Sequence, residues 1–163
     1  GPFFRRDFQF MDEKDNLIFQ GSSFSVLLDV PRRAVYRQRE LPFELMVAGG
    51  EATIEARPSL KTKLEFTRVA MRDVQNSHID CLGHVNNVRY GEFAYDTFTE
   101  NEKRNLKKMR RMELYFAKEL RPGDRFTVLK AKEKDCLMVR CNKEASAEVN
   151  FTAVYYYWNQ PVI

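Results

Sequence analysis

Apolar and polar positions alternate along most of this chain, and the alternation gives way to a helical period in one place. Residues 3–12, FFRRDFQFMD, and 16–30, NLIFQGSSFSVLLDV, carry the every-second-residue pattern of strands. The polar DEKDN between them predicts a turn. In the second strand Phe24, Val26 and Leu28 alternate with Ser23, Ser25 and Leu27, and Gly21 is expected to be a bulge. Residues 31–62 read as a connector, with Pro31, Pro42, Pro58, the Gly49-Gly50 pair and the short apolar piece PFELM. Residues 63–74, KLEFTRVAMRDV, resume the strand pattern.

The helical stretch follows, at about 86–100. Asn86 or Asn87 can cap it, and Val88, Gly91, Tyr95 and Phe98 fall on one stripe at helical spacing. Gly91 lies in that stripe, where a missing side chain would let the helix lie close to a sheet. Three or four strands come next. RMELYFAKEL runs into the turn Pro122-Gly123-Asp124, RFTVLKAKEK and CLMVRCNK form a hairpin, and SAEVNFTAVYYYW alternates with Ala147, Val149, Phe151, Ala153, Tyr155 and Tyr157 on one face. Strand, helix, then strands is satisfied by an α+β unit in which an antiparallel sheet wraps around a helix. The two front strands have no helix to cover them, and two strands alone are marginal in water. They are expected to extend a sheet. The opening Gly1-Pro2 without Met reads as a cleavage remnant or a start in mid-protein.

Composition narrows the class. The 163 residues suffice for one domain with a real core, or one domain and a piece of another. The chain is 44% hydrophobic and 31% charged, and its 13% aromatics include thirteen Phe, which favours sheet. No apolar run approaches the ~20 residues of a membrane helix, and no signal-peptide pattern opens the chain. Cys81, Cys136 and Cys141 are odd in number and lack metal-ligand spacing, which fits a reducing compartment better than a disulfide framework. The net charge of +4 is locally concentrated in KRNLKKMRR, residues 103–111, either a solvated surface run or a patch for an acidic partner.

Candidate chemistry gathers in HIDCLGHVNNVRYGEFAYD, residues 78–96. Asp80 alone would be a turn residue and His84 alone a core histidine. Spaced four apart just ahead of a helix start, they suggest a site. A helix N-terminus offers unbonded N–H groups and partial positive charge, so the region Val85, Asn86 and Asn87 can polarise a carbonyl. Cys81 as a nucleophile is weak, since no base is fixed beside it.

The motif D-x-x-GHVNN-x-x-Y before a helix resembles the hotdog-fold thioesterases. The front stretch FFRRDFQFMDEKDNLIFQGSSFSVLLDVPRRAVYR and the later RMELYFAKELRPGD narrow the resemblance to the acyl-ACP thioesterase family, which carries two hotdog domains. The resemblance implies a partial first hotdog at residues 1–40, a linker at 41–61 and a second hotdog at 62–163. It implies a site of Asp80, His84 and Glu119, with Leu82 standing at a position where the family has Asn. Glu119 by itself reads equally as an ordinary strand-end carboxylate. Leu120 follows it where plant members often have Cys, which brings the chain closer to the bacterial type. The implied activity is hydrolysis of fatty acyl carrier protein to free fatty acid in fatty acid biosynthesis, with Asp80 or Glu119 as base on a water and His84 orienting it or relaying the proton. The implied partner is acyl carrier protein bearing a phosphopantetheine-linked acyl chain. A cytoplasmic homo-oligomer is expected, with no cofactor, no metal, no nucleic acid and no membrane span. The alternatives are an acyl-CoA thioesterase of hotdog type and a non-catalytic remnant that only binds acyl thioesters.

Overall fold

The computed structural model describes residues 3–32, 34–37, 40–44, 50 and 52–157. Gly1-Pro2, Gly49, part of PFELM and Trp158 lie outside the described residues. The chain divides into two compact units, Gly1–Leu60 and Lys61–Ile163.

In the first unit, β1 (Phe3–Met11) and β2 (Leu17–Val26) form an antiparallel hairpin. Asp12 builds its turn. Its carboxylate accepts the N–H groups of Lys14 and Asn16 at 2.8 Å each, and the Asn16 side-chain amide at 2.9 Å. These bonds hold the Asp12 carboxyl below its ordinary range, the Asn16 side-chain bond first among them. The expected bulge at Gly21 is not there. Gly21 pairs in register with Phe8, and the shift falls between Phe10 and Met11. The glycine is instead needed for space, because a Cβ at residue 21 would sit 2.4 Å from the Phe8 ring. The connector is tied back to the hairpin through Asp7, which accepts from Arg5 at 2.8 Å and from Thr53 N–H at 3.3 Å. A two-residue ladder, β3 (Leu28–Asp29) with β4 (Ala34–Val35), completes the described elements of the unit.

The second unit is a five-stranded antiparallel sheet with a helix on one face. Its strands are β5 (Thr67–Asp73), β6 (Met109–Phe116), β7 (Arg125–Glu133), β8 (Cys136–Lys143) and β9 (Val149–Tyr157), ordered β5-β7-β8-β9-β6. The order puts β5 and β6, which bracket the helical segment in sequence, on opposite edges. Among the described residues β1 and β2 pair with each other in a two-stranded sheet of their own.

The helical segment breaks in two. The helix expected at 86–100 is α1 (Asn87–Tyr95), capped by Asn86, followed after a short loop by α2 (Glu100–Asn105), which Thr99 and Glu102 open as a capping box. The buried face of α1 is Tyr90, Phe93 and Ala94, which corrects the stripe of Val88, Gly91 and Tyr95. Val88 is 71% exposed, Tyr95 is half-exposed, and a Cβ on Gly91 would meet nothing. Of that stripe only Phe98, beyond the end of α1, is buried. The stronger aromatic anchors won. Phe93 packs on Phe126 at 4.8 Å, Tyr90 on Phe151 at 5.2 Å and Phe98 on Tyr155 at 5.2 Å. Val128, Leu137, Val139, Cys141 and Ala153 fill the space between them. Among the described residues no helix is long and apolar enough to cross a membrane.

Candidate functional site

A tight loop brings the motif residues together. Ile79 and Val85 form an isolated antiparallel bridge, and between them the Asp80 N–H donates to the His84 carbonyl at 3.0 Å. Gly83 turns the chain with φ +79°, a left-handed conformation that a glycine adopts without strain. Asp80 Oδ1 accepts the Leu82 N–H at 2.9 Å, an Asx turn that rigidifies the loop. Leu82 itself is 75% exposed, so in this loop it contributes its backbone while its side chain faces solvent.

Three ionisable groups line up across the loop. Asp80 Oδ2 lies 3.5 Å from His84 Nδ1, and Glu119 Oε1 lies 3.9 Å from His84 Nε2. The imidazole thus has a carboxylate at each nitrogen. Glu119 is not at the end of β6. It sits three residues beyond, in the loop leading to the Pro122-Gly123-Asp124 turn, and its other oxygen meets the Arg121 guanidinium at 3.0 Å. The loop is anchored by its next residue: the Val85 N–H donates to the Leu120 carbonyl at 2.8 Å, and the Leu120 N–H donates to Tyr90 Oη at 3.0 Å. His84–Val85 and Glu119–Leu120 are therefore neighbouring pairs held in register by one backbone bond.

The helix start is mostly occupied by the chain itself. Asn86 Oδ1 caps Val88 N–H at 3.0 Å, Asn86 N–H donates to His78 O at 2.9 Å, and Val85 N–H serves Leu120. Of the three residues expected to polarise a carbonyl, only Asn87 has a backbone N–H without an acceptor among the described residues. Val85 contributes a buried side chain instead. The second histidine, His78, accepts the Gln75 N–H on Nδ1 and packs edge-on to Phe93 at 4.8 Å. Burial pushes its pKa down, and it belongs to the core side of α1. Cys81 is exposed beside Asp80, while Cys136 and Cys141 are buried, and burial pushes the Cys141 thiol up to about 12. Among the described residues no group of three His, Cys, Asp or Glu side chains could hold a metal ion.

Sequence reading missed Tyr90 and Arg121. Arg121 adjoins a candidate carboxylate with nothing in its spacing to mark it. Tyr90 had a signal: it falls four residues after the cap Asn86, inside the motif itself.

The acyl-ACP thioesterase C-terminal domain family matches residues 61–160. No curated protein matches the chain. Among solved structures, an acyl-ACP thioesterase from Bacteroides thetaiotaomicron superposes with a TM-score of 0.73 at 22% identity, covering 95% of this chain and 63% of that one. The 12:0-ACP thioesterase from Umbellularia californica superposes with a TM-score of 0.66 at 15% identity, covering 96% and 62%. The chain thus spans less than two thirds of the length of these solved relatives.

Proposed function

The chain belongs to the acyl-ACP thioesterase family through its C-terminal domain, and from that premise we propose that it hydrolyses the thioester of a fatty acyl chain carried on acyl carrier protein. The second unit has the hotdog fold of the solved relatives. In this reading residues 1–40 are the closing strands of a first hotdog, 41–61 a linker and 62–163 the second hotdog. The apolar hairpin supports it, since Phe10, stacked on Phe19 at 4.1 Å, and Ile18 are exposed side chains suited to a larger sheet.

The observation that carries the proposal is the line Asp80–His84–Glu119 at 3.5 Å and 3.9 Å, directly ahead of the α1 start. Asp80 is the more enclosed carboxylate, and one of its oxygens already accepts the Leu82 N–H, so it suits the task of orienting the imidazole. Glu119 is half-exposed, with Oε2 on Arg121 and Oε1 toward His84, and suits a general base. Glu119 takes a proton from water, the water oxygen bonds to the thioester carbonyl carbon, and the developing oxyanion is met by the Asn87 N–H and the positive end of α1. As the tetrahedral centre collapses the C–S bond breaks. The proton passes through His84 to the departing sulfur, leaving a fatty acid and the free thiol of phosphopantetheine. The step requires no cofactor and no metal.

Acyl carrier protein is the proposed donor because Lys107, Lys108 and Arg110 are exposed on the basic run and the carrier is acidic. The site residues, the cytoplasmic setting in fatty acid biosynthesis and a homo-oligomeric state are part of the same proposal. The free cysteines suit a reducing compartment. The uncovered apolar side chains of Val88, Met112, Leu114 and Phe116 suit a subunit contact.

The test is hydrolysis of a medium- or long-chain acyl thioester by wild type, Leu82→Asn and Asp80→Ala. Wild type should turn over weakly, Leu82→Asn faster, by up to ~10²-fold if an amide there helps hold the water, and Asp80→Ala not at all. If all three are inactive while wild type still binds the thioester, the chain is a binding module and not an enzyme.

A further inference from the structure

We infer that Tyr90 is a positioning residue for Glu119, its phenol oxygen holding the loop on which that carboxylate is presented to His84. The inference rests on the thioesterase reading for its kinetic consequence and on geometry alone for its structural one. Tyr90 projects from the inner face of α1 and is 2% exposed. Its ring is fixed by packing against Phe93 and Phe116, each at 5.9 Å, and Phe151 at 5.2 Å. Those contacts would serve a phenylalanine equally well. The hydroxyl is the part that needs a reason, because an oxygen placed among aromatic rings is costly unless it is bonded.

Its bond is to the Leu120 N–H, 30 residues away in sequence and 3.0 Å away in space. Leu120 is fully buried, and its carbonyl is held from the other side by the Val85 N–H at 2.8 Å. One peptide group each side of Leu120 is thus clamped by the same motif segment that carries His84. Glu119 shares the peptide bond whose N–H Tyr90 holds, so the direction of its side chain follows that clamp. Burial pushes the Tyr90 phenol up to about 12, which keeps it neutral and able to accept the bond without adding charge beside Glu119 and His84. The loop is also held on either side, by the Ala117 and Lys118 N–H groups on the Asn150 carbonyl and by the Arg121 N–H on Asp124. Without the Tyr90 oxygen it therefore stays in place, while the Glu119–Leu120 peptide loses its bond and Glu119 gains freedom to turn toward Arg121 and away from the imidazole.

The experiment is a double-mutant cycle on the full chain with Tyr90→Phe, Glu119→Gln and the pair. Acyl-thioester hydrolysis by Tyr90→Phe is expected to lose ~10- to 100-fold in kcat, the scale of a misplaced catalytic group, with KM within about twofold of wild type. The pair is expected to be no slower than Glu119→Gln alone. Equal loss from Tyr90→Phe in both backgrounds overturns the inference, because the hydroxyl would then act without Glu119. A Tyr90→Phe chain that no longer folds overturns it as well, since the hydroxyl would be holding up the core. If wild type hydrolyses nothing, the thioesterase reading has failed, and the inference is decided by the imidazole ¹⁵N resonances of His84. Glu119→Gln and Tyr90→Phe should each move them, and the pair no further than Glu119→Gln alone. His84 resonances that respond to Glu119→Gln but not to Tyr90→Phe overturn it.

Discussion

Asp80 and His84 meet twice, once through the backbone, where the Asp80 N–H donates to the His84 carbonyl at 3.0 Å, and once through side chains, where Oδ2 lies 3.5 Å from Nδ1. The first contact is made by a closed loop with Gly83 at its corner, so the second does not depend on packing from a distant element. Preorganisation of this kind lets an imidazole be held in one orientation before substrate arrives.

Asp80→Asn separates the loop from the charge. The amide oxygen can still accept the Leu82 N–H, so thermal unfolding should change by less than about 1 kcal/mol. Thioester hydrolysis should fall by ~10²- to 10⁴-fold, the usual scale for a general acid–base system that has lost its orienting charge. Retained activity in a folded Asp80→Asn chain would remove Asp80 from the machinery.

The corrected face of α1 has a direct consequence for stability. Phe93→Ala removes a fully enclosed ring packed on Phe126 and should cost about 3–5 kcal/mol in urea unfolding. Val88→Ala should stay within about 0.5 kcal/mol. The opposite ranking would mean that the stripe containing Val88 faces the core after all.

Acid should weaken the junction of α2 with β7. Glu102 is partly buried, which by itself would raise its pKa, but hydrogen bonds from Lys130 Nζ at 2.7 Å and the Thr99 N–H at 2.8 Å outweigh that desolvation and hold it below the ordinary 4.5. A carboxyl whose folded pKa is depressed adds stability above its unfolded value, and that stability is lost as pH falls through the folded value. Glu102→Gln should therefore destabilise the chain at neutral pH by about 1–3 kcal/mol and flatten the decline in melting temperature below pH 4.5. An unchanged acid profile would show that other carboxylates govern it.

Carrier preference should be visible in salt. If the exposed lysines of the 103–111 run attract an acidic carrier, acyl-ACP turnover should fall between low and high ionic strength as the Debye length shrinks to about 8 Å and below. The acyl-CoA rate should change less. Equal rates with no salt dependence would favour the CoA-type thioesterase.

Local order in this chain was readable from its residues. The Asp80-x-x-x-His84 spacing, the Asn86 cap, the Pro122-Gly123-Asp124 turn and the β7–β8 hairpin depend on neighbours within a few positions, and each acts through its own chemistry: a side-chain acceptor, a missing Cβ, a two-residue alternation. The face of α1 was not readable in that way. Between Val88 and Phe98 apolar residues occur on two sides of the helix, so the period permits either face. The choice went to the side on which Phe93 and Tyr90 could reach Phe126 and Phe151 across the sheet. The steric need for Gly21 beneath the Phe8 ring was not readable either, because it depends on the hairpin register that sets the two residues opposite each other.

The sequence alone therefore determined that a helix follows an acid–imidazole loop and that strands flank it on both sides. Only the tertiary structure decided that Glu119 stands opposite His84. That meeting requires β6 to lie at the sheet edge beside β9, and Leu120 to accept from Val85 and donate to Tyr90. Those bonds join residues 30 or more positions apart. No local pattern encodes such contacts, because their free energy is gained only when the core between them has closed.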